Sequence, residues 1–171
     1  ATLEAAVSMA MMHPHIVATY AYDIKPLAVA GAPAAAGGAS SGMAKLFIIQ
    51  EHCNAGTLHQ LLASGQLRGG VGGGRAQATA VVGLSWMVAV GLHHMHRRCV
   101  VHGDVSGSNV LLKLLPEGSS VEQLHREHVG YLRNIRPDAP LPWVPESIRA
   151  ARVVACIAGK QGSCGTVRHV P

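Results

Sequence analysis

The chain has 171 residues, of which 49% are hydrophobic and 13% charged, and its formal net charge is +5 at neutral pH. This hydrophobic content excludes a wholly disordered chain, and the length allows one domain or part of a larger one. The basic excess is spread among carboxylates in the last 81 residues and only 4% of the residues are aromatic. We therefore expect no nucleic-acid partner, because such a binding face combines a basic stripe with stacking aromatics.

The first fifty residues predict one helix and two strands. Residues 2–12 are mostly Ala, Leu, Met and Glu, which are good helix formers. This helix should end at His13-Pro14, because the residue before a proline is displaced from the helical region. Residues 16–20 then predict a short strand. A low-complexity loop of Ala, Gly, Ser and Pro follows at 28–42, and KLFIIQ at 45–50 predicts an apolar strand.

A short and a long helix follow. Thr57 suits the N-cap of a helix that runs through Leu62, and a glycine-rich loop follows at 65–74. Residues 76–98 predict the strongest amphipathic helix, whose apolar face consists of Leu84, Met87, Val88, Gly91, Leu92 and Met95. We predict no membrane span, because the apolar stretch 76–92 is short and interrupted by polar residues.

The second half of the chain predicts short strands around polar segments. Three apolar β-type runs lie at 99–101, 110–112 and 153–155. Residues 113–148 are polar and contain prolines, with one helix predicted at about 121–132. Because a loop of this length is unusual inside a compact domain, we interpret the segment as an insertion.

The cysteines and histidines indicate an intracellular chain without a zinc site. Four cysteines are widely spaced and form no C-x-x-C pair, which favours reduced thiols and a cytoplasmic location: Cys53, Cys99, Cys156 and Cys164. Four clustered histidines match no common zinc-ligand spacing and are interpreted as surface and loop residues: His93, His94, His96 and His102. The chain opens on Ala1 without a signal-peptide pattern, and we interpret it as a fragment.

The octapeptide HGDVSGSN at 102–109 has the composition of a functional loop. It joins two apolar strands, so its polar side chains are held between fixed ends. Asp104 and Asn109 offer a carboxylate and an amide oxygen, which suit Mg²⁺ or the orientation of a hydroxyl. Asp, Ser, Gly and Asn are also turn formers, so these eight residues alone fit a simple turn equally well.

Five ordered segments resemble the protein kinase family, most closely its tyrosine-kinase-like branch with the Raf-like serine/threonine kinases. HGDVSGSNVLL resembles the catalytic loop, and GLHHMHRRCVVHGD resembles the helix that leads into it. KLFIIQEHCNAGTLHQLL is similar to the fifth strand, the hinge and the next helix. EAAVSMAMMHPHIV resembles the end of the C-helix, and GTVRHVP resembles the end of the activation segment.

The resemblance implies an α+β class and a partial bilobal kinase-like fold. Residues 1–50 would be the remnant of a β-rich N-lobe from the C-helix to the fifth strand, and 51–56 the hinge. Residues 57–171 would begin a helical C-lobe, with the catalytic loop at 102–109, the insertion at about 113–148 and the activation-segment end at 165–171. The implied activity is transfer of the γ-phosphate of ATP to Ser/Thr hydroxyls of a protein substrate, with Mg²⁺.

The resemblance also assigns catalytic roles. Asp104 would be the aspartate that accepts the proton of the substrate hydroxyl, and Asn109 would hold a magnesium ion. Thr166 would support Asp104 from the end of the activation segment.

The remaining roles that the resemblance implies concern ATP. Glu4 would be the C-helix glutamate that pairs with the ATP-positioning lysine. The hinge residues Glu51, His52 and Cys53 would bind the adenine edge through their backbone groups, with Leu111 as the apolar floor beneath the adenine.

Several positions depart from the family pattern. Gly103 replaces the usual Arg, and Ser106 stands where many serine/threonine kinases have a Lys. The Asp-Phe-Gly motif is not found, and the best placement of its position is Ala155-Cys156-Ile157. The glycine-rich phosphate loop and the ATP-positioning lysine are not found either. We therefore expect the isolated chain to transfer phosphate poorly or not at all, and the alternative is a pseudokinase-like interaction module.

Overall fold

The computed structural model describes residues 7–26, 44–67, 74–140, 143–158 and 168–169. The helices are α1 (residues 7–10), α2 (Leu58–Ala63), α3 (Gly74–His96) and α4 (Val121–Ile135), with a 3₁₀ turn at Glu146–Ile148. The strands are β1 (Thr19–Pro26), β2 (Ala44–Gln50), β3 (Val100–Val101), β4 (Val110–Leu114), β5 (Val153–Ile157) and β6 (Arg168–His169). They form three antiparallel pairs, β1-β2, β3-β6 and β4-β5. Antiparallel strands combined with helices are the α+β class that the sequence predicted.

The β4-β5 pair is the centre of the fold. Its register places Val110 opposite Ile157 and Lys113 opposite Val154. Val110, Leu112, Val154 and Ala155 are at most 2% exposed, so both strands are central to the main core cluster. Residues 15–17 extend this sheet, because the N–H groups of Val17 and Ile157 donate to the carbonyls of Ile157 and His15.

Helix α3 covers the β4-β5 pair with the face that the sequence predicted. Leu84, Met87 and Met95 are buried. Met87 reaches the sheet directly, since its sulfur accepts the N–H of Ala155 at 3.3 Å. Gly91 allows the close approach to residues 15–17, because a Cβ there would lie 2.7 Å from the His15 carbonyl oxygen. The position of Gly91 on the apolar face is therefore a packing requirement.

Two local predictions are confirmed, and one predicted strand lies further along the chain than expected. The strand over KLFIIQ and the N-cap at Thr57 are present, and Thr57 and Gln60 form a reciprocal capping box. The strand predicted at 16–20 begins instead at Thr19 and runs to Pro26. Its start is displaced because residues 15–17 pair with β5, so antiparallel pairing with β2 begins only afterwards.

The segment 113–148 is folded onto the core. Ser120 caps α4, which runs to Ile135 rather than to about 132. Val121 is fully buried and Val144 and Ile148 are 5% and 3% exposed, in the same cluster as β4 and β5. The sequence did not predict this packing, because the segment is polar overall and only one side of it faces the core. Within the described residues, it is a packed element and no longer a long loop.

The length of α3 also bears on the membrane prediction. The helix continues past residue 92, and its part Gln77–His96 is long and apolar enough to cross a membrane by length and composition, with a mean hydropathy of 1.3. This is weak evidence, because the core helix of a globular fold passes the same test. Helix α3 packs against β3, β5 and the 3₁₀ turn.

Candidate functional site

The polar loop at 102–109 connects β3 to β4 and is organised by His102. The backbone N–H of Asp104 donates to His102 Nδ1 at 3.3 Å, while His102 Nε2 lies 2.8 Å from the carbonyl oxygen of Ala158. Both contacts are satisfied when the ring proton is on Nε2. Gly103 allows the turn between them with a φ of 75°, a conformation that L side chains rarely adopt. The ring therefore fixes Asp104 relative to the end of β5.

The structure brings Asp104 and Asn109 together within this loop. Asn109 Nδ2 donates to the backbone carbonyl of Asp104 at 2.8 Å and to its Oδ2 at 3.1 Å. Both side chains are only partly buried. Among the described residues, Asn109 Oδ1 and Asp104 Oδ1 accept no side-chain hydrogen bond, so one oxygen on each is available to a ligand.

The hinge segment and Leu111 also lie together. The Ala55 N–H donates to the Leu112 carbonyl at 2.9 Å, and the Leu112 N–H donates to the Gly56 carbonyl at 2.8 Å. Thr57 forms an isolated antiparallel bridge with Leu111. The end of the predicted hinge is therefore hydrogen-bonded to β4 beside Leu111, the predicted apolar floor, and Asn109 immediately precedes this strand.

Comparison with known proteins decides the family. The profile of the protein tyrosine and serine/threonine kinase family matches residues 33–125, which is more than half of the chain. The chain belongs to the protein kinase family. The matched residues include the predicted hinge, Leu111 and the whole of the predicted catalytic loop, whereas Glu4, β5 and Thr166 lie outside the match. A comparison with curated proteins finds no match.

Within the described part of the chain, the end of β5 beside Asn109 carries no carboxylate. The Ala158 N–H donates to the Asn109 carbonyl at 2.8 Å, so Ala158, the residue that follows β5, is adjacent to the loop 102–109. Ala155-Cys156-Ile157, where the sequence placed the magnesium-binding motif, lies inside β5 and opposite Val110–Leu112. Residues 153–158 contain no Asp or Glu.

Two predicted site residues lie outside the described part of the chain. Glu4 precedes α1, and Thr166 precedes β6. Strand β6 pairs with β3, with Arg168 opposite Val101, which places residue 168 beside the strand that leads into the catalytic loop. The roles of Glu4 and Thr166 stay predictions.

Beneath the hinge lies a polar cluster that sequence reasoning missed. The Glu51 carboxylate forms an ion pair with Lys113, and both side chains are 19% exposed. Burial is the largest single effect and lowers the pKa of Lys113, but the hydrogen bond to Glu51 and the nearby charges of Glu51, Cys53 and Cys156 together raise it. The Cys156 thiol donates to the Pro14 carbonyl at 3.4 Å. The neighbouring Cys156 lowers the pKa of Cys53, whereas the neighbouring Cys53 and burial raise the pKa of Cys156. The sequence gives no signal for this pairing, because Cys156 follows Cys53 by more than one hundred residues.

A histidine cluster was also missed. His15 is fully buried, with Nε2 2.8 Å from His125 Nε2 and Nδ1 3.1 Å from the Ala155 carbonyl. His94, interpreted from the sequence as an ordinary surface residue, instead packs against His13 with ring centroids 4.7 Å apart. Burial, the largest cause in each case, lowers the pKa of His15 to about 3 and that of His125 to about 4. The cluster is structural, because it joins α4 to the β4-β5 core.

Proposed function

We propose that this chain carries the catalytic loop of an ATP-dependent protein kinase that phosphorylates Ser/Thr hydroxyls. The observation that carries the proposal is the Asn109–Asp104 hydrogen bond within a loop that the kinase family profile matches. The bond occupies Oδ2 of Asp104 and leaves its Oδ1 to accept the hydroxyl proton of a substrate. This is the role of the catalytic-loop aspartate in phosphoryl transfer.

ATP is proposed to lie between the hinge and β4. Backbone groups of Glu51, His52 and Cys53 would bind the adenine edge, and Leu111 would contact its face. Asn109 Oδ1 would bind a magnesium ion together with phosphate oxygens, because Mg²⁺ usually combines few protein ligands with substrate phosphates. That ion would offset the charge that develops on the transferred phosphoryl group.

Phosphoryl transfer by the residues of this site should be slow. Ser106 supplies no positive charge where many serine/threonine kinases place a Lys, and Ala155, at the predicted position of the metal-binding aspartate, supplies no second metal ligand. Both changes reduce the electrostatic stabilisation of the transition state. We expect a rate far below the roughly 1–100 s⁻¹ of typical protein kinases.

Phosphotransfer from γ-labelled ATP to a mixed Ser, Thr and Tyr peptide substrate tests the proposal. We expect weak labelling of Ser and Thr that falls by at least about a hundredfold in Asp104→Asn, because the proton acceptor is lost. Asp138→Asn is the matched control, since Asp138 is exposed in a surface ion pair with Arg136. Equal labelling by Asp104→Asn and the parent chain would refute the role of Asp104 as the proton acceptor. Labelling of Tyr alone would refute the proposed Ser/Thr specificity.

A second candidate function is a pseudokinase-like module that binds partners without catalysis. The observation that favours it is the apolar end of β5, where Ile157 and Ala158 stand beside Asn109. Absence of both labelling and nucleotide binding would favour this module over the kinase.

A further inference from the structure

Three metal-binding side chains converge from two distant parts of the chain beneath the hinge. Glu51 and Cys53 belong to the hinge, and Cys156 belongs to β5. One ligand atom from each lies within 4.8 Å of those of the other two. Cys156 is fully buried, and Cys53 and Glu51 are half-buried. This group is separate from Asp104 and Asn109, and nothing in the phosphoryl-transfer proposal uses its side chains.

We propose that Glu51, Cys53 and Cys156 bind a divalent cation of the zinc class, with the fourth position open to water. Two sulfurs and one carboxylate oxygen suit a tetrahedral borderline-soft cation. With zinc–sulfur bonds of about 2.3 Å, the two sulfurs would be about 3.8 Å apart. Because the ligand atoms lie within 4.8 Å of one another, the two sulfurs would have to approach each other by about 1 Å at most.

The charges around the cluster balance when a cation is bound. On binding, both cysteines release their thiol protons to solvent and form sulfur–metal bonds, with no redox change. Two thiolates, one carboxylate and a divalent cation then carry a net charge of −1, which the Lys113 ammonium offsets. Lys113 bonds to Oε1 of Glu51, whereas Oε2 accepts only a long contact of 3.5 Å from the Ala18 N–H. Oε2 is therefore the oxygen available to the cation.

Titration of the full chain with Co²⁺ under a non-thiol reductant tests this proposal. Cobalt bound to thiolates gives a near-ultraviolet charge-transfer absorption that histidine or carboxylate sites do not give. We expect this absorption to saturate at one cobalt per chain and to be displaced by Zn²⁺. It should disappear in Cys53→Ser, a half-buried position that tolerates serine better than the buried Cys156. The double variant Cys99→Ser/Cys164→Ser keeps the proposed ligands and should bind as the parent chain does.

The role of Glu51 is tested by a pair of variants that break the same ion pair. Glu51→Gln replaces the carboxylate by a neutral amide, a much poorer metal ligand, and should weaken cobalt affinity by about tenfold or more. Lys113→Met removes the ion pair but keeps the carboxylate, so cobalt affinity should not fall in this variant. Equal weakening in both variants would exclude Glu51 as a ligand. Absence of the charge-transfer band, or its persistence in Cys53→Ser, would overturn the site, whatever the result of the phosphotransfer assay.

Discussion

At the residue scale, the hydrogen bonds of single side chains define both the catalytic loop and the core. His102 and Asn109 hold Asp104 through three side-chain contacts, and His15 joins β5 to α4 through its two ring nitrogens. Asp104, Asn109 and Leu111 could be proposed as site residues from the sequence because they lie in one contiguous motif, and their roles stay predictions. His15 and His125 could not, since they meet only after the chain between them has folded.

The buried histidines should make the fold acid-sensitive. The pKa of His15 is about 3 in the folded chain, below the ordinary value of 6.5, so folding favours the neutral ring. Stability from such a group is complete above about pH 6.5 and is lost as the pH falls towards the folded pKa. One such group lowers the free energy of unfolding by about 2 kcal/mol between pH 7 and pH 5. The pKa is also lowered for four other histidines: His13, His94, His125 and His128. Protonation of these rings at low pH should destabilise the fold in the same way.

Urea denaturation of His125→Gln at pH 7 and pH 5 measures this effect. Glutamine can still hydrogen-bond His15 but does not titrate, so the loss of stability on acidification should be smaller by about 1–2 kcal/mol than in the parent chain. His96→Gln, at the exposed end of α3, should keep the full acid sensitivity. An identical pH dependence in the parent chain and His125→Gln would contradict the role of the cluster.

At the element scale, periodicity and capping predicted most of the fold, and long-range packing accounts for the differences. The face of α3, the strand β2 and the cap of α2 follow from local patterns. The burial of α4 does not, because His125 and Val129 are anchors on an otherwise polar helix. The start of β1 depends on pairing between residues 15–17 and β5, which no local pattern encodes.

Gly91 sets the distance between α3 and residues 15–17. In Gly91→Ala, the new Cβ would lie 2.7 Å from the His15 carbonyl oxygen and 3.0 Å from Ile157 Cδ1, so backbone must move. We expect a loss of about 1–3 kcal/mol in the free energy of unfolding. Gly130→Ala in α4 is the matched control, because its Cβ would meet nothing within 4 Å and should stabilise the helix by up to about 1 kcal/mol. If urea denaturation gave the same change in the free energy of unfolding for Gly91→Ala and Gly130→Ala, the close approach of Gly91 to His15 would not contribute to stability.

At the scale of the whole molecule, the described residues leave two apolar surfaces uncovered. The β1-β2 hairpin exposes apolar side chains that include Tyr20, Ile24, Phe47, Ile48 and Ile49. A groove of about 520 Å³ runs along α3 and the catalytic loop, lined by apolar residues such as Leu62, Val81 and Val105. Exposed apolar side chains and apolar grooves mark places where other protein segments pack.

The isolated chain should therefore self-associate. Ile49 is 59% exposed on β2, so Ile49→Lys removes apolar surface without disturbing the core. We expect light scattering to show concentration-dependent association of the parent chain that decreases in Ile49→Lys at unchanged unfolding temperature. Lys45→Gln, on the same strand, alters its charge but removes no apolar surface and should leave association unchanged. A monodisperse parent chain over the same concentration range would contradict this expectation.

The most direct test of the account is calorimetric titration of the chain with ATP, in the presence and absence of Mg²⁺. A hinge and a catalytic loop joined by β4 predict saturable ATP binding that Mg²⁺ strengthens, with the magnesium-dependent part lost in Asn109→Ala. Heat changes that never saturate up to millimolar ATP, or a magnesium effect that persists in Asn109→Ala, would contradict it.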